Sequence, residues 1–462
     1  MDKKYSYLIS VFLVCSIIIS LILGISLIVP FIISTVFSFY LLAQSGYNKK
    51  DLVLILYKGF IECKELYMFL LLIGANISVW MASGIVPTMM FYGFQYLEGT
   101  NFIFMAFLLT SVMTIFMGTG IGTISTLGIA LIGVGRGFGI PIELLLGVLV
   151  SGAFLADKLS PISGMLNLTL QVMDMDYKTF VKGLLKTLVP VFIITSGIYY
   201  IIGSFYSGGE NSELIVYLQS AILDEFVISP WLLLLPLLVV LLPMKGITVV
   251  PTVLTGIIGG ALLTLRVQGL SLLTSLNYMI LGYGGKTGSE ELNSILVSGG
   301  MVGMVEVVAI IGIVLALSNL LEKTGVLKPL IYDPIANVKT KGELIFKTGL
   351  VGTMLTVVTC DQAAGVVLPG KLYKNKYKEM GIDKTVLART LSDSSTIIAP
   401  LMPWNVNGIV IGLITGISAF QYAPYAILCY IFPLIAGIIY ISEKILLNFS
   451  MTKKQQKINM GG

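Results

Sequence analysis

Three aspartates stand in stretches that are otherwise oily. Asp157 begins Asp157-Lys-Leu-Ser-Pro161, Asp361 follows Thr359-Cys360 and precedes Gln362, and Asp393 lies in Ser392-Asp-Ser-Ser-Thr396. Each has hydroxyl or amide side chains close by. Thr123, Ser160, Ser163 and Asn167 surround the first along the chain, and Ser394, Thr396 and Asn405 follow the third. Oxygen ligands of this kind suit hard cations, and a carboxylate can also carry a proton. To trade protons near neutrality, a carboxyl group must hold its proton about 3 pH units more tightly than in water, roughly 4 kcal/mol. Where cation and proton compete for one carboxylate that faces each side in turn, the outcome is antiport. The chain has no histidine, which excludes Ser-His-Asp catalysis, His-Glu-x-x-His zinc chemistry and histidine proton relays. The reading is a transporter, with no nucleophile–base pair and no metal-ligand set for an enzyme.

The elements that position these residues are interrupted helices. Gly118, Gly120 and Gly122 weaken a helix at membrane depth, and the hydroxyls of Thr119 and Thr123 flank them. In lipid, freed backbone groups are tolerated only where they line a polar cavity or are buried in protein. Acidic residues beside such breaks are candidate ion or solute sites. Ser160-Pro161 through Asn167 reads as a re-entrant hairpin tip. The hydrogen-bonding run from Ser392 to Thr396, with Pro400, Pro403, Trp404 and Asn405 after it, reads as a lined cavity. Asp361 has a plainer alternative as a helix end. Glu306, alone in the apolar run Ile295–Leu321, faces either the pathway or an interface. Arg136 and Glu143 read as cytoplasmic loop charges.

Composition sets the class. Of 462 residues, 56% are hydrophobic and 11% charged, against about 25% charged in globular domains. Runs of about 20 apolar residues recur, each enough to span a bilayer. The chain is expected to be an all-α polytopic membrane protein with about 10–12 transmembrane helices. The net charge of +5 does not point to nucleic acid. Its lysines gather in short loops, at Lys49 and Lys50, at Lys371, Lys374, Lys376 and Lys378, and at Lys453, Lys454 and Lys457. The positive-inside rule then puts both termini in the cytoplasm of a cell-membrane protein. The four cysteines are scattered, with no spacing for a disulfide framework or a thiolate metal site.

Five regions are expected. Residues 1–64 form a transmembrane hairpin and an amphipathic segment, and 65–205 a first repeat with its re-entrant hairpin. Residues 206–300 form a connecting loop and scaffold helices, 301–445 a second repeat with its hairpin, and 446–462 a tail. The halves look related, but two registers compete. An offset of 236 residues superposes Thr123 on Thr359 and Asp157 on Asp393, whereas 242 superposes Gly139 on Gly381 and Pro161 on Pro403.

Trp80-Met-Ala-Ser-Gly84 with Pro87, Gly118-Thr through Gly122-Thr123, Gly139-Ile-Pro141, Ser151-Gly152 and Asp157-Lys-Leu-Ser-Pro161 resemble motifs of the NhaC-type Na+/H+ antiporters. So do Ser298-Gly-Gly300, Glu322-Lys-Thr-Gly325, Asp361-Gln362, Pro369-Gly370, Arg389-Thr-Leu391, Asp393 and Pro403-Trp-Asn405. The resemblance, over about Ile73–Pro433, implies an ion-transporter architecture. That architecture has two inverted repeats with re-entrant hairpins, a moving transport domain and a scaffold that dimerises. The sequence departs from the family pattern at the hairpin tip, where Gly164, Met165 and Leu166 replace Asp-Thr-Thr. It departs again at Ser392, where the family has Glu, and at Ser318-Asn319, where it has a glycine pair.

The first reading is therefore Na+-linked antiport, by default Na+/H+ exchange. Asp157 and Asp393 would hold Na+ or H+, with Asp361, Thr123, Ser160, Asn167, Ser394, Thr396 and Asn405 as further ligands. No cofactor is expected beyond Na+ and H+ as coupling ions, and the partners are membrane lipid, a small ion or solute and a second copy of the chain. The alternative is a carrier of an amino acid or small organic acid, such as a malate/lactate-like exchanger. In it Ser163, Met165, Leu166 and Trp404 would contact the solute and Glu306 would meet an amine.

Overall fold

A computed structural model describes residues 3–206, 212–285 and 287–437. The expected tail at 446–462, with Lys453, Lys454 and Lys457, lies outside them. The described chain is helical, and its one β feature is an isolated bridge between Gly284 and Val297. Eight helices are long and apolar enough to cross a membrane, or ten if each of two bent pairs is one span. Those pairs bend by 93° between Glu225 and Pro230 and by 56° near Ala426. Ile28–Gln44, Phe102–Met117 and Leu272–Leu281 are apolar but shorter. The Tyr177–Ser204 helix turns Val189, Ile193 and Ile201 outward, as a lipid-facing helix does.

With lipid as apolar as leucine, helices associate through close packing and interhelical hydrogen bonds rather than hydrophobic burial. The Lys64–Ala82 helix packs on Val249–Arg266 through the small residues Gly256 and Gly260. A Cβ on Gly256 would lie 2.6 Å from Asn76 Oδ1, and Trp80 Nε1 donates to Gly256 O at 3.1 Å. A similar contact joins the second half to the N-terminal part of the chain. The Val305–Lys323 helix packs on Lys49–Ile61, where a Cβ on Gly59 would lie 2.7 Å from Asn319 Cβ. Asn319 Nδ2 also donates to Ile55 O at 2.9 Å.

Backbone conformation decides between the two repeat registers in favour of 242. Gly118 and Cys360 are both left-handed, at φ 73° and 59°. The next residues, Thr119 and Asp361, are both extended (φ −148° and −131°) and start new helices. Gly139 and Gly381 are left-handed at 72° and 63°. Ser163 and Asn405 are extended N-caps of the two hairpins' returning helices. Asp157 and Asp393 are therefore not equivalents. In this register Asp157 matches Ala399, and Asp393 matches Ser151.

Candidate functional site

Each half breaks a helix in the middle. After Phe102–Met117 the chain turns left-handed at Gly118, extends at Thr119, and resumes helix at Gly120. The resumed helix widens at once into a π turn, Ile124–Gly128. Hydroxyl side chains beside such a break turn back onto carbonyls of the resumed helix, which satisfies them where water is scarce. Thr123 Oγ1 donates to Thr119 O (2.9 Å) and to Thr114 Oγ1 (3.1 Å). Ser125 and Thr126 donate to Gly122 O. In the second half Lys341–Thr359 ends at left-handed Cys360, and Asp361 caps Gln362–Glu379 by accepting from Ala363 N at 3.0 Å. A carboxylate there also faces the positive end of the helix dipole.

The hairpins bring the halves together. Asp157 and Lys158 share the short turn Ala156–Leu159, where adjacent side chains diverge by about 100°. The half-buried Asp157 turns towards the second half's break. Its Oδ1 accepts from Ser163 Oγ at 2.9 Å, and its Oδ2 accepts from Gln362 Nε2 at 3.2 Å. Lys158 points the other way and is fully buried. It donates to Ser392 O (2.8 Å), Ser392 Oγ (3.2 Å) and Asp393 Oδ1 (2.7 Å), and its Nζ lies 4.0 Å from the centre of the Phe432 ring.

The two carboxylates thus sit in different electrostatic settings. A buried lysine neutralises Asp393, whereas neutral donors alone hold Asp157. Three buried polar atoms here have no protein partner: Asp393 Oδ2, Gln362 Oε1 and Asn405 Nδ2. Atoms of this kind are satisfied by water, an ion or a solute.

The remaining residues singled out in the sequence fall as follows. Ser394 and Thr396, on the π turn Ser392–Thr396, donate to Thr390 O and Ser392 O, so their hydroxyls serve the widened helix. Ser160 Oγ donates to Ile115 O at 2.6 Å and ties the hairpin to the Phe102–Met117 helix. Asn167 Nδ2 folds back on Pro161 O and Ser163 O. Asn405 caps Val406–Thr415, accepting from Asn407 N at 3.0 Å. Met165 and Leu166 are buried in the core, and Trp404 Nε1 donates to Val357 O at 3.2 Å. Glu306 is exposed in the first turn of Val305–Lys323, where its Oε1 accepts from Ser26 Oγ at 3.0 Å.

Two residues of this constellation escaped the sequence reading. Lys158 reads along the chain as a partner for its neighbour Asp157, yet its counter-ion stands 235 residues away. Gln362 reads as a companion of Asp361 and instead binds Asp157, 205 residues away. The usable signal was charge balance: a lysine inside an apolar run needs a carboxylate, and one that is spent elsewhere leaves its neighbour free.

Among the described residues no group of three Cys, Asp or Glu side chains converges to hold a metal ion. A cation here would rest on one carboxylate and neutral oxygens, a set suited to a weakly held monovalent ion that must leave again.

The model of the Na+/H+ antiporter family matches residues 152–442. The chain is 32% identical over 372 residues to the Na(+)/H(+) antiporter NhaC of Bacillus subtilis (strain 168), covering 80% of this chain and 82% of that protein. It is 31% identical over 388 residues to the malate-2H(+)/Na(+)-lactate antiporter of the same organism, covering 84% and 83%. It is 30% identical over 360 residues to the arginine/ornithine antiporter ArcD of Halobacterium salinarum, covering 77% and 74%.

Proposed function

The chain belongs to the Na+/H+ antiporter family, and from that premise we propose that Asp157 is the carboxylate on which Na+ and H+ exchange. The protein is a secondary transporter of the NhaC type, a multi-pass membrane protein that performs Na+-linked antiport. The observation that carries the assignment is the difference in partners. Asp157 is held only by Ser163 and Gln362, one from each half, while Lys158 already occupies Asp393.

Na+ entering from either side loses water and needs oxygen ligands in return. Asp157 supplies the charge. Rotation of the Gln362 amide would turn its unpartnered Oε1 to the ion, and the hydroxyl of Ser163 can turn its lone pairs the same way. A proton on Asp157 leaves the same cluster neutral. Both loaded forms carry no uncompensated carboxylate, which favours the moving state only when the site is filled. Lys158–Asp393 travels as an internal neutral pair that links the two hairpins. The lysines expected in a loop at 371–378 stand instead on the C-terminal turns of the Gln362–Glu379 helix, where they still support a cytoplasmic placement for that end, and we assign the protein to the cell membrane as a homodimer.

The test is Na+-driven proton movement in proteoliposomes. Na+ added outside acid-loaded vesicles should make the lumen alkaline, choline should not, and Asp157→Asn should remove the Na+ response. A wild-type protein that moves no protons in response to Na+ overturns the reading.

A further inference from the structure

Away from the aspartates, a cavity of about 260 Å³ opens between the two halves and the loop that precedes the Val305–Lys323 helix. Ile129, Ile132 and Arg136 form one of its walls, spaced as a single face of the Gly120–Gly137 helix. Leu413 and Gly416, at the end of Val406–Thr415, form another, and Ser294 and Ser298 close it. The first of these helices starts at the Gly118 break, and the second is the returning helix capped by Asn405. Arg136 lies sixteen residues beyond Gly120, about 24 Å along the helix, so the charged end of the cavity is remote from the break and from Asp157.

Arg136 is the charged group of this cavity. Nη1 donates to Ser294 O and Nη2 to Ser294 Oγ, each at 3.1 Å. No ion pair among the described residues includes it. Glu291, close in sequence to Ser294, accepts from Ser289 Oγ. An arginine in the last turn of a helix complements its dipole, and at an open surface that would be explanation enough. Here the guanidinium is held by two bonds and lines a partly enclosed cavity, with three of its five N–H donors uncommitted. A planar fork without a counter-ion matches a carboxylate. The wall opposite is apolar, as it is where small solutes bind with a few placed polar groups.

We propose that this cavity binds a small carboxylate solute through Arg136, remote from Asp157. The volume admits a mono- or dicarboxylate of a few carbons. The proposal does not depend on Asp157, because it concerns a different charge in a different place.

The experiment uses full-length protein in phosphatidylcholine nanodiscs, titrated calorimetrically with L-malate and L-lactate. Saturable binding is expected, weakened tenfold or more by Arg136→Gln and less by Arg136→Lys. Leu413→Trp, which fills the cavity from its open side and leaves Arg136 in place, should weaken it as much as Arg136→Gln. Thermal transitions of the variants control for folding. Absence of saturable binding overturns the proposal, as does equal affinity in all variants. A response that requires phosphatidylglycerol in the disc also overturns it, since Arg136 would then hold a lipid phosphate. Na+/H+ exchange measured on the same preparation separates the two readings: exchange without carboxylate binding sinks this one alone.

Discussion

Lys158 of the first half and Asp393 of the second meet at 2.7 Å, with solvent reaching 0% and 1% of their side chains. Neither Asp157 nor Asp393 can be understood without this pair. Two ions taken out of water lose several kcal/mol each, and their attraction repays it only with good geometry and further hydrogen bonds. Lys158 has those bonds through both oxygens of Ser392. The pair locks the Ala156–Leu159 turn to the Ser392–Thr396 turn, so the two hairpins are joined by charge rather than by apolar contact alone.

Removing one partner should therefore be far worse than removing both. Lys158→Met leaves Asp393 as an unpaired buried charge, and Asp393→Leu does the same to Lys158, each costing about 3–5 kcal/mol. The double variant Lys158→Met/Asp393→Leu should recover most of the loss, since an apolar pair of similar volume carries no desolvation penalty. Thermal unfolding in detergent reads this directly. Additive losses in the double variant would show that the two side chains do not act on each other.

The first half's break makes a separate prediction. Gly118 adopts φ 73°, and a Cβ there would fall 2.6 Å from Ile162 Cγ1. Gly118→Ala should cost about 1–2 kcal/mol for the left-handed backbone and about 1–3 kcal/mol more for the clash. Adding Ile162→Ala should relieve only the second part, although it forfeits the packing of Ile162. Thermal unfolding of the two variants checks the split, and an unchanged midpoint in Gly118→Ala would mean that the turn is not formed as described.

How far these features were readable depended on whether the physics was local. Gly118 announced its break, because glycine is the residue that takes a left-handed turn freely. Cys360 adopts the same conformation at φ 59° with no such mark, and the second break was visible only through Asp361 and Gln362. The all-helical membrane class was legible from composition, because lipid permits few alternatives. Hydroxyl runs misled in one respect: Ser392–Thr396 looked like cavity lining, yet the hydroxyls of Ser394, Ser395 and Thr396 bond the carbonyls of their own helix. The contacts of Asp157 with Gln362 and of Lys158 with Asp393 were illegible because more than 200 residues separate the partners in the chain, and only folding chooses between adjacent charges.

Outside the membrane, acid should weaken one tie between the N-terminal helix and the second half. Lys3 donates to Asp333 at 2.7 Å, and Tyr7 donates to its other oxygen at 3.3 Å. The hydrogen bond and charge of Lys3 hold the Asp333 carboxyl below the usual carboxylate range. A depressed folded pKa contributes stability above the unfolded value, about 3.9, and loses it as pH falls through the folded value. Both groups are exposed, so the effect is small and shrinks with salt. The difference in thermal midpoint between wild type and Asp333→Asn should be flat from pH 7 to about 5 and shrink progressively as pH falls below the unfolded value of about 3.9. A difference that does not shrink at all below the unfolded value would assign it to packing instead.

Asp157→Asn offers the sharpest separation of structure from transport. The substituted amide keeps an oxygen to accept from Ser163 Oγ, now at 2.9 Å. Its new N–H₂ cannot accept from Gln362 Nε2, but it can donate to Gln362 Oε1, which is buried without a partner, once the Gln362 amide rotates. Both hydrogen bonds therefore survive in exchanged form, and stability should change by no more than about 1 kcal/mol. The charge does not survive, and Na+-driven exchange should be lost. Gln362→Ala keeps the charge and loses one neutral contact, so it should exchange with a Na+ half-saturation raised about threefold to tenfold, which corresponds to about 0.7–1.4 kcal/mol of lost binding. Ser163→Ala should behave similarly, with an added loss of stability of about 1 kcal/mol because Ser163 also caps the Gly164–Met173 helix. Vesicle flux at a series of Na+ concentrations distinguishes these outcomes. Exchange at the wild-type rate by Asp157→Asn would remove Asp157 from the site and leave the buried pair as the group to examine.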